Sequence, residues 1–419
     1  MFRGIASDDF PPFGEFEIDL PPAEGNPDLA EVHLFTGVNG TGKTRLLAVL
    51  AAALGVTTPL EKRLRLKRNQ EHSLRLHEEH GPLSVLANRE RVSLSQSPDR
   101  APADAWYLSV PAFAYGGGAY VRDVPITILA DVPKPSREEC LAFSRPGDDS
   151  QQLLQAVANL KVQAAMDSMH EEASRPDQPR ALSPSHTKRI VDGMEAAISR
   201  ITGRKFTFAI TSYPKPSIGV VWGGVTMAID SLPDGLRSII GWLVHAIVMM
   251  DAWLLGESTP MESEAVFLLD EIESHLHPAW QRRILPAFQR LFPKAQIFVA
   301  THSPFIIASL NHGWIHPLTL DEDGRVTVEQ PVKASAGDSY VSVLEDIMGL
   351  KEWYDPETEQ LLANFRAQRD AAFQGGDEAR NTALRLAEQI GGRSMELHYM
   401  MGREVAQMER QLARTPAKV

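Results

Sequence analysis

One glycine-rich segment constrains the fold of this chain more than any other part of its sequence: residues 37–44 read Gly-Val-Asn-Gly-Thr-Gly-Lys-Thr. The apolar run at 32–36 predicts a buried strand before it, and the Leu- and Ala-rich run at 45–54 predicts a helix after it, which Gly55 can end. The segment therefore matches GxxxxGK(S/T) between a strand and a helix, the context that this pattern requires. The alternative is a glycine turn with an exposed lysine. Such a turn does not need a strand before it and a helix after it, so the predicted strand and helix favour the phosphate-binding pattern.

This loop has the chemistry of a phosphate-binding site. Glycines let the backbone curl so that successive N–H groups point at phosphate oxygens, and the following helix adds the positive end of its dipole. Lys43 can reach the β- and γ-phosphates, and the Thr44 hydroxyl can bind Mg²⁺. The candidate nucleotide-binding residues in this loop are Gly37, Asn39, Gly40, Gly42, Lys43, Thr44 and Arg45.

Two further apolar runs, at 264–271 and 295–303, predict strands that are buried on both faces of a mostly parallel sheet. The first run ends in Asp270 and Glu271. In a phosphate-loop enzyme, Asp270 would hold Mg²⁺ and Glu271 would polarise the attacking water. An acidic pair is also an ordinary strand end, so the assignment depends on two downstream segments: Glu-Ser-His-Leu-His-Pro at 273–278 and Thr-His-Ser-Pro at 301–304.

Together these segments resemble non-transport ABC-type ATPases of the SMC, RecF and OLD class. Within that class the chain is similar to the ATPase subunits of bacterial anti-phage systems, such as the Septu ATPase and its retron-associated relatives. The resemblance implies ATP and Mg²⁺ as cofactors and an ATP-sandwich homodimer or higher homo-oligomer. It also implies catalytic roles for Lys43, Glu271 and His302, with His302 sensing the γ-phosphate, and a loop at 273–278 that crosses to the other subunit.

The resemblance further implies a signature loop, which in dimers of this class caps the ATP bound to the partner subunit. The candidate is Leu-Pro-Asp-Gly-Leu-Arg at 232–237, with Asp234 and Gly235 as the ATP-contacting residues. Pro233 stands where the family usually has a serine, so we expect hydrolysis to be slow. The alternative is an ordinary Pro-Asp-Gly turn.

The predicted fold class is α/β, an ABC-type ATPase head with a mostly parallel sheet and a small antiparallel sheet from the β-rich segments at 206–229. We expect a core from 1–55 and 206–350. Region 56–205 is predicted to be an inserted basic and helical lobe that contributes a core strand near 106–115. A helical C-terminal region should span 355–415, with breaks at its Gly-Gly pairs.

Composition excludes several classes of protein. With 43% hydrophobic and 23% charged residues the 419-residue chain is neither wholly disordered nor fibrous, and the single cysteine, Cys140, leaves no internal disulfide. The longest apolar run, 239–255, is interrupted by His245 and Asp251, which favours a buried helix over a membrane span. A net charge of −12 leaves only local nucleic-acid contacts open, such as the basic group at 62–68. We therefore expect a cytoplasmic protein without a membrane partner.

The leading functional hypothesis is a slowly hydrolysing ATPase that acts as the sensor or regulatory subunit of an anti-phage complex. Its effector, expected to be a nuclease, would be a separate protein, because the DxD at 321–323 is followed by Gly324 and is typical of a hairpin turn. The alternative is a DNA-repair or chromosome-maintenance ATPase of RecF or SMC type. The net negative charge of the chain and the lack of a long predicted coiled coil disfavour an SMC-like DNA clamp. A transporter subunit ranks last.

Three weaker interpretations concern other residues. His275, His277 and Glu273 lack the spacing of a helical zinc site, and Arg3 could stack on adenine. After Asp355, an apolar stripe at helical spacing should be buried either on the ATPase lobe of the same chain or against the effector. Its members are Leu361, Leu362, Phe365, Met400, Val405, Met408 and Leu412.

Overall fold

The computed structural model describes residues 1–23, 25–63, 71–78, 81–88, 92–96, 109–117, 121–127, 130–143, 150–174, 185–211, 216–254, 258–322, 324–334, 339–350 and 352–414. The chain divides into two compact units, Met1–Met348 and Gly349–Val419. Most of the basic group at 62–68 and Asp323 lie outside the described residues.

The described strands are β1 (Phe2–Phe10), β2 (Gly14–Asp19), β3 (Glu31–Gly37), β4 (Glu71–Glu78), β5 (Gly81–Asn88), β6 (Val92–Gln96), β7 (Ala112–Gly116), β8 (Phe206–Thr211), β9 (Ser217–Trp222), β10 (Val225–Ala228), β11 (Ala265–Asp270), β12 (Ala295–Ala300), β13 (Trp314–Leu320), β14 (Val326–Val328) and β15 (Val332–Lys333).

The described α-helices are α1 (Lys43–Ala53), α2 (Thr58–Arg63), α3 (Arg137–Leu141), α4 (Ser150–Ser174), α5 (His186–Thr202), α6 (Asp234–Ile239), α7 (His245–Leu254), α8 (Pro278–Leu291), α9 (Pro304–Ile307), α10 (Tyr340–Ser342), α11 (Pro356–Phe373), α12 (Asp377–Gly391) and α13 (Met395–Arg414). A π-helical turn, Ile240–Val244, joins α6 to α7.

The main sheet of the first unit has the strand order β14-β13-β3-β12-β11-β7, with β15 beside β13. Strands β13, β3, β12, β11 and β7 are parallel, whereas β14 and β15 run antiparallel to β13. The apolar runs of β11 and β12 are buried on both faces, as expected for parallel strands covered by helices. The predicted α/β fold class, with its mostly parallel sheet, is confirmed.

The register of this sheet brings distant motifs to one edge. Asp270 at the end of β11 lies beside Ala300 of β12 and Gly116 of β7, and Ala300 lies beside Phe35 of β3. Because parallel strands end at the same edge of a sheet, the segments that follow β3, β11 and β12 all emerge there. This edge is where open α/β sheets bind their ligands.

Region 56–205 contributes β structure that the sequence analysis did not predict. Strands β4, β5 and β6 form an antiparallel sheet with the N-terminal hairpin, in the order β2-β1-β4-β5-β6. The hydrophobic positions of β4, Leu74 and Leu76, are buried in one core with α1. The predicted core strand near 106–115 is β7, and the predicted helices of this region include α4 and α5. The boundaries of the region as a domain remain a prediction.

A chain of buried and partly buried polar side chains links the two sheets. Arg3 on β1 donates two hydrogen bonds to the Glu31 carboxylate on β3, at 2.8 and 2.9 Å. Glu31 also bonds to His33, whose ring contacts His316 of β13 at 3.1 Å. These partners outweigh the burial of Glu31 and lower its carboxyl pKa to about 2. Arg3 is therefore held by Glu31 in this structure, and its stacking on adenine stays a prediction.

The small antiparallel sheet predicted from 206–229 is formed by β8, β9 and β10. Beside it, one continuous helical stretch, Asp234–Leu254, is the described segment that by length and composition could cross a membrane, but 83% of its most apolar window is buried in the protein. This burial agrees with the prediction of a core helix.

The second unit consists, in the described residues, of α11, α12 and α13. The helices break near Gly375-Gly376 and Gly391-Gly392, as predicted. Leu362, Phe365 and Met408 are buried in a core that these helices share. The apolar stripe is thus buried among the helices themselves, and the premise that it needs a further surface is wrong.

Candidate nucleotide-binding site

The 37–44 loop takes a backbone conformation that its glycines allow. Gly40 and Gly42 have positive φ angles of 91° and 84°, which side chains with a Cβ rarely adopt. Gly37 also has a positive φ, and a Cβ there would lie 2.1 Å from the carbonyl oxygen of Leu318. The loop ends where α1 begins, at Lys43, and the N-cap residue Gly42 makes no side-chain hydrogen bond to this helix start. A helix N-terminus without a side-chain cap is a typical anion-binding position.

Lys43 is folded back into the loop. Its Nζ donates hydrogen bonds to the carbonyl oxygens of Gly37 at 2.8 Å and Val38 at 3.0 Å. Burial lowers the pKa of Lys43 to about 8, and the negative charges of Glu271 and Asp270 oppose that decrease. The ammonium group therefore stays mainly charged at neutral pH while it has lost much of its hydration.

Thr44 and Asp270 meet at the edge of the sheet. The Thr44 hydroxyl donates a hydrogen bond of 2.9 Å to Oδ1 of Asp270. A hydroxyl next to a carboxylate is an oxygen donor set, which is the ligand type that hard divalent cations prefer. Both residues predicted to bind metal are thus adjacent and chemically suited to Mg²⁺.

Glu271 and His302 face each other across the same edge, with 3.6 Å between Oε1 and Nε2. Glu271 has a left-handed backbone conformation, φ 51°, which is uncommon for a residue with a side chain. Its side chain is 51% exposed. Burial and the charge of Lys43 lower the pKa of His302, and Glu271 partly opposes this. A neutral imidazole can both donate and accept a hydrogen bond at pH 7.

One cavity of about 530 Å³ collects most of the predicted site. Its lining residues are Pro12, Asn39, Gly40, Gly42, Lys43, Thr44, Arg45, Glu271 and His302. A second cavity of about 750 Å³ shares Asn39, Glu271 and His302 with the first and adds Gly37 and Glu273. The structure therefore brings the loop, the acidic strand end and the histidine together. Arg45 also donates a 2.6 Å hydrogen bond to the carbonyl of Pro11.

Asp234 and Gly235 are not among the described residues that line these two cavities. They begin α6, where the carboxylate of Asp234 lies 3.5 Å from the guanidinium of Arg237. A Cβ at Gly235 would lie 2.9 Å from the carbonyl oxygen of His275, so this loop packs on the 273–278 segment of its own chain. Within one chain, the two signature-loop residues are not brought to the nucleotide loop.

Two residues that shape the site, Gly117 and Glu273, were given no nucleotide-site role by sequence reasoning. Gly117 donates its backbone N–H to the carbonyl of Asp270 at 2.8 Å, and a Cβ there would lie 2.3 Å from the carbonyl oxygen of Glu271. Glu273 is buried and bonds to the segment that carries His302. The available signal for Gly117 was the glycine run that follows a predicted strand. The signal for Glu273 was a third acidic residue just after Asp270 and Glu271.

His277 has a structural role, because its Nδ1 accepts a hydrogen bond from the backbone N–H of Ala279 at the start of α8. Across the described parts of the chain, we found no group of three or more His, Cys, Asp or Glu side chains that could hold a metal ion.

Comparisons with known proteins find relatives that match part of the chain. Residues 199–308 match the family described as "AAA domain, putative AbiEii toxin, Type IV TA system". The Septu protein PtuA of Bacillus thuringiensis is 30% identical over 147 residues, which are 34% of this chain and 37% of that protein. The Retron Vc95 probable ATPase of Vibrio cholerae serotype O1 biovar El Tor is 25% identical over 176 residues, 41% of this chain and 33% of that protein.

The chain shares with this family the segment that carries Asp270, Glu271 and His302. It matches about a third of the length of these relatives. The structure of an SMC head bound to the C-winged helix domain of ScpA is also similar to this chain, at a TM-score of 0.45 and 12% identity. The match covers 79% of this chain and 98% of that one.

The close packing at Gly117 generates a prediction about stability. A Gly117→Ala variant should lower the free energy of unfolding by about 1–3 kcal/mol, because the new methyl group overlaps Glu271 and must displace it. The neighbouring Gly116→Ala variant is the matched control, since its Cβ would lie 3.9 Å from the nearest atom, the carbonyl oxygen of Phe143. Urea unfolding of both variants tests this prediction. Equal stabilities would show that the packing at Gly117 is looser than described.

Proposed function

We propose that the chain is an ATPase that binds ATP with Mg²⁺ and hydrolyses it at the edge formed by the ends of β3, β11 and β12. The observation that carries this proposal is the Thr44–Asp270 hydrogen bond, because it joins the phosphate-binding loop to the acidic strand end. Lys43, Glu271 and His302 line one cavity beside that bond.

Each predicted residue has a role in this proposal. Backbone N–H groups of the loop at Gly37, Asn39, Gly40 and Gly42 would bind phosphate oxygens, and Lys43 would exchange its carbonyl partners for phosphate. Arg45 would contact the nucleotide with its side chain, since it lines the same cavity. Thr44 and Asp270 would hold Mg²⁺, which supplies positive charge for phosphoryl transfer when bound. Glu271 would orient the attacking water, and His302, 3.6 Å away, would contact the γ-phosphate.

Lys43 and Glu271 allow binding and turnover to be separated. A Lys43→Ala variant should lose ATP binding, measured by calorimetry, because the loop loses the ammonium group that would bind phosphate. The guanidinium of Arg45 in the same cavity is held by the carbonyl of Pro11. A Glu271→Gln variant should bind ATP but lose hydrolysis, since an amide has nearly the same shape and is a poor base. Equal ATP affinity in Lys43→Ala and the unsubstituted protein would contradict the assignment of the loop.

The proposed active form is a homodimer or higher homo-oligomer. Asp234 and Gly235 lie away from the nucleotide loop of their own chain, so they can contact nucleotide only on a second copy. Pro233 precedes α6 and provides no side-chain cap hydrogen bond. With no hydroxyl at this position, the transition state receives less stabilisation, so we expect slow turnover.

We further propose that this cytoplasmic ATPase regulates a separate effector, expected to be a nuclease. The support is its similarity to a Septu protein and to a retron ATPase. The DxD at 321–323 does not add a nuclease site in this proposal, because Asp321 is in the turn between β13 and β14. There its Oδ1 accepts from the N–H of Arg325 at 2.7 Å, and its carbonyl oxygen accepts from the N–H of Gly324 at 3.0 Å.

A separate effector has a direct test. The purified chain with ATP and either Mg²⁺ or Mn²⁺ should leave phage DNA, plasmid and tRNA intact on gels. The Asp321→Ala variant, which removes one carboxylate of the DxD, serves as the control and should also leave these nucleic acids intact. Cutting that disappears in Asp321→Ala would place the effector inside this chain.

A further inference from the structure

Glu273 is a buried acidic residue whose side chain binds the segment carrying His302. The residue is only 8% exposed. Its Oε1 accepts a short hydrogen bond from the Thr301 hydroxyl and a second one from the backbone N–H of His302, at 3.3 Å. One carboxylate oxygen therefore holds two consecutive residues at the end of β12.

The direction of these hydrogen bonds follows from the next residue. The N–H of Ser303 donates to Oγ1 of Thr301 at 2.9 Å. Thr301 thus uses a lone pair for Ser303 and its proton for Glu273. The backbone N–H groups of His302 and Ser303 are consequently both fixed by a network that ends on Glu273.

A second side chain connects the same two segments. Gln281 on α8 donates from Nε2 to the carbonyl of Leu276 at 2.9 Å, and its Oε1 accepts from the Ser303 hydroxyl at 2.6 Å. The 273–278 loop and the 301–303 turn are therefore linked by two side chains. A displacement of one segment would be transmitted to the other.

Burying the carboxyl group of Glu273 costs free energy of folding, because one of its oxygens is incompletely hydrogen-bonded. Its second oxygen, Oε2, is buried and has no hydrogen-bond partner among the described residues. Burial raises the pKa of Glu273, and the nearby charge of Glu271 acts in the same direction. An apolar side chain of similar volume would fill this position at a lower cost in free energy of folding.

We propose that Glu273 is a positioning residue that holds the imidazole of His302 beside Glu271 and couples its position to the 273–278 loop. This inference rests on the proposed ATP hydrolysis. Glu273 acts through the backbone of His302 and does not touch the reacting atoms. What matters is the acceptor oxygen Oε1, so a neutral amide should replace the carboxylate.

Turnover measurements on matched variants test this role. Glu273→Ala should keep its ATP affinity but lower kcat by about tenfold or more, because the hydrogen bonds that hold Thr301 and the backbone of His302 are lost. Glu273→Gln should stay within about threefold of the unsubstituted protein. In a His302→Ala background, Glu273→Ala should cause no further loss, because the histidine through which it acts is gone. An unchanged kcat, or losses that add, would overturn the inference.

A measurement that does not depend on turnover separates this inference from the proposed function. In hydrogen exchange, the amides of His302 and Ser303 should exchange at least about tenfold faster in Glu273→Ala and at the original rate in Glu273→Gln. Equal exchange in all three proteins would overturn the role of Glu273 even if ATP is hydrolysed. Absence of hydrolysis by the unsubstituted protein, with the exchange result as expected, would contradict the proposed function alone.

Discussion

The hydrogen bond between Thr44 and Asp270 joins residues that are 226 positions apart in sequence. It forms because β3 and β11 run parallel on either side of β12, so that their carboxyl ends meet at one edge. The glycine loop follows one strand, and the acidic pair ends the other. If the order or direction of these strands were different, the same motifs would be present but could not form a site.

The site gains its chemical properties at some cost in stability. Lys43 loses hydration on burial, and Glu271 adopts a left-handed backbone conformation. Glu273 buries a carboxylate oxygen that has no hydrogen-bond partner in the described part of the chain. Strained and incompletely paired groups of this kind persist only where the surrounding structure holds them in place. The apolar strands β11 and β12, which are buried on both faces, provide that rigid support.

Residues in contiguous motifs could be predicted from the sequence, because spacing along the chain determines their geometry. The conformation of the 37–44 loop depends on glycines within it, and the position of Asp270 depends on the apolar run before it. The pairing of β4 with β1 could not be predicted, since the two strands are far apart in sequence and no motif in either strand identifies its partner. The contact between Glu273 and His302 depends on the fold of two loops and has no signature in spacing.

The C-terminal stripe illustrates another limit of sequence patterns. The helical spacing of Leu362 and Phe365 correctly indicates that one face must be buried, but it does not identify the partner surface. The structure buries both side chains among α11, α12 and α13. Likewise, the sequence around Gly235 suggests a phosphate contact, whereas one chain alone places this residue against the carbonyl of His275.

The most direct test of this account is a cryo-EM structure of the Glu271→Gln variant with ATP and Mg²⁺. We predict that Nζ of Lys43 will have left the carbonyls of Gly37 and Val38 for phosphate oxygens, with the γ-phosphate near His302. Gly235 from a second copy should approach that phosphate. ATP bound elsewhere, or a Gly235 distant from every γ-phosphate in the assembly, would contradict the account.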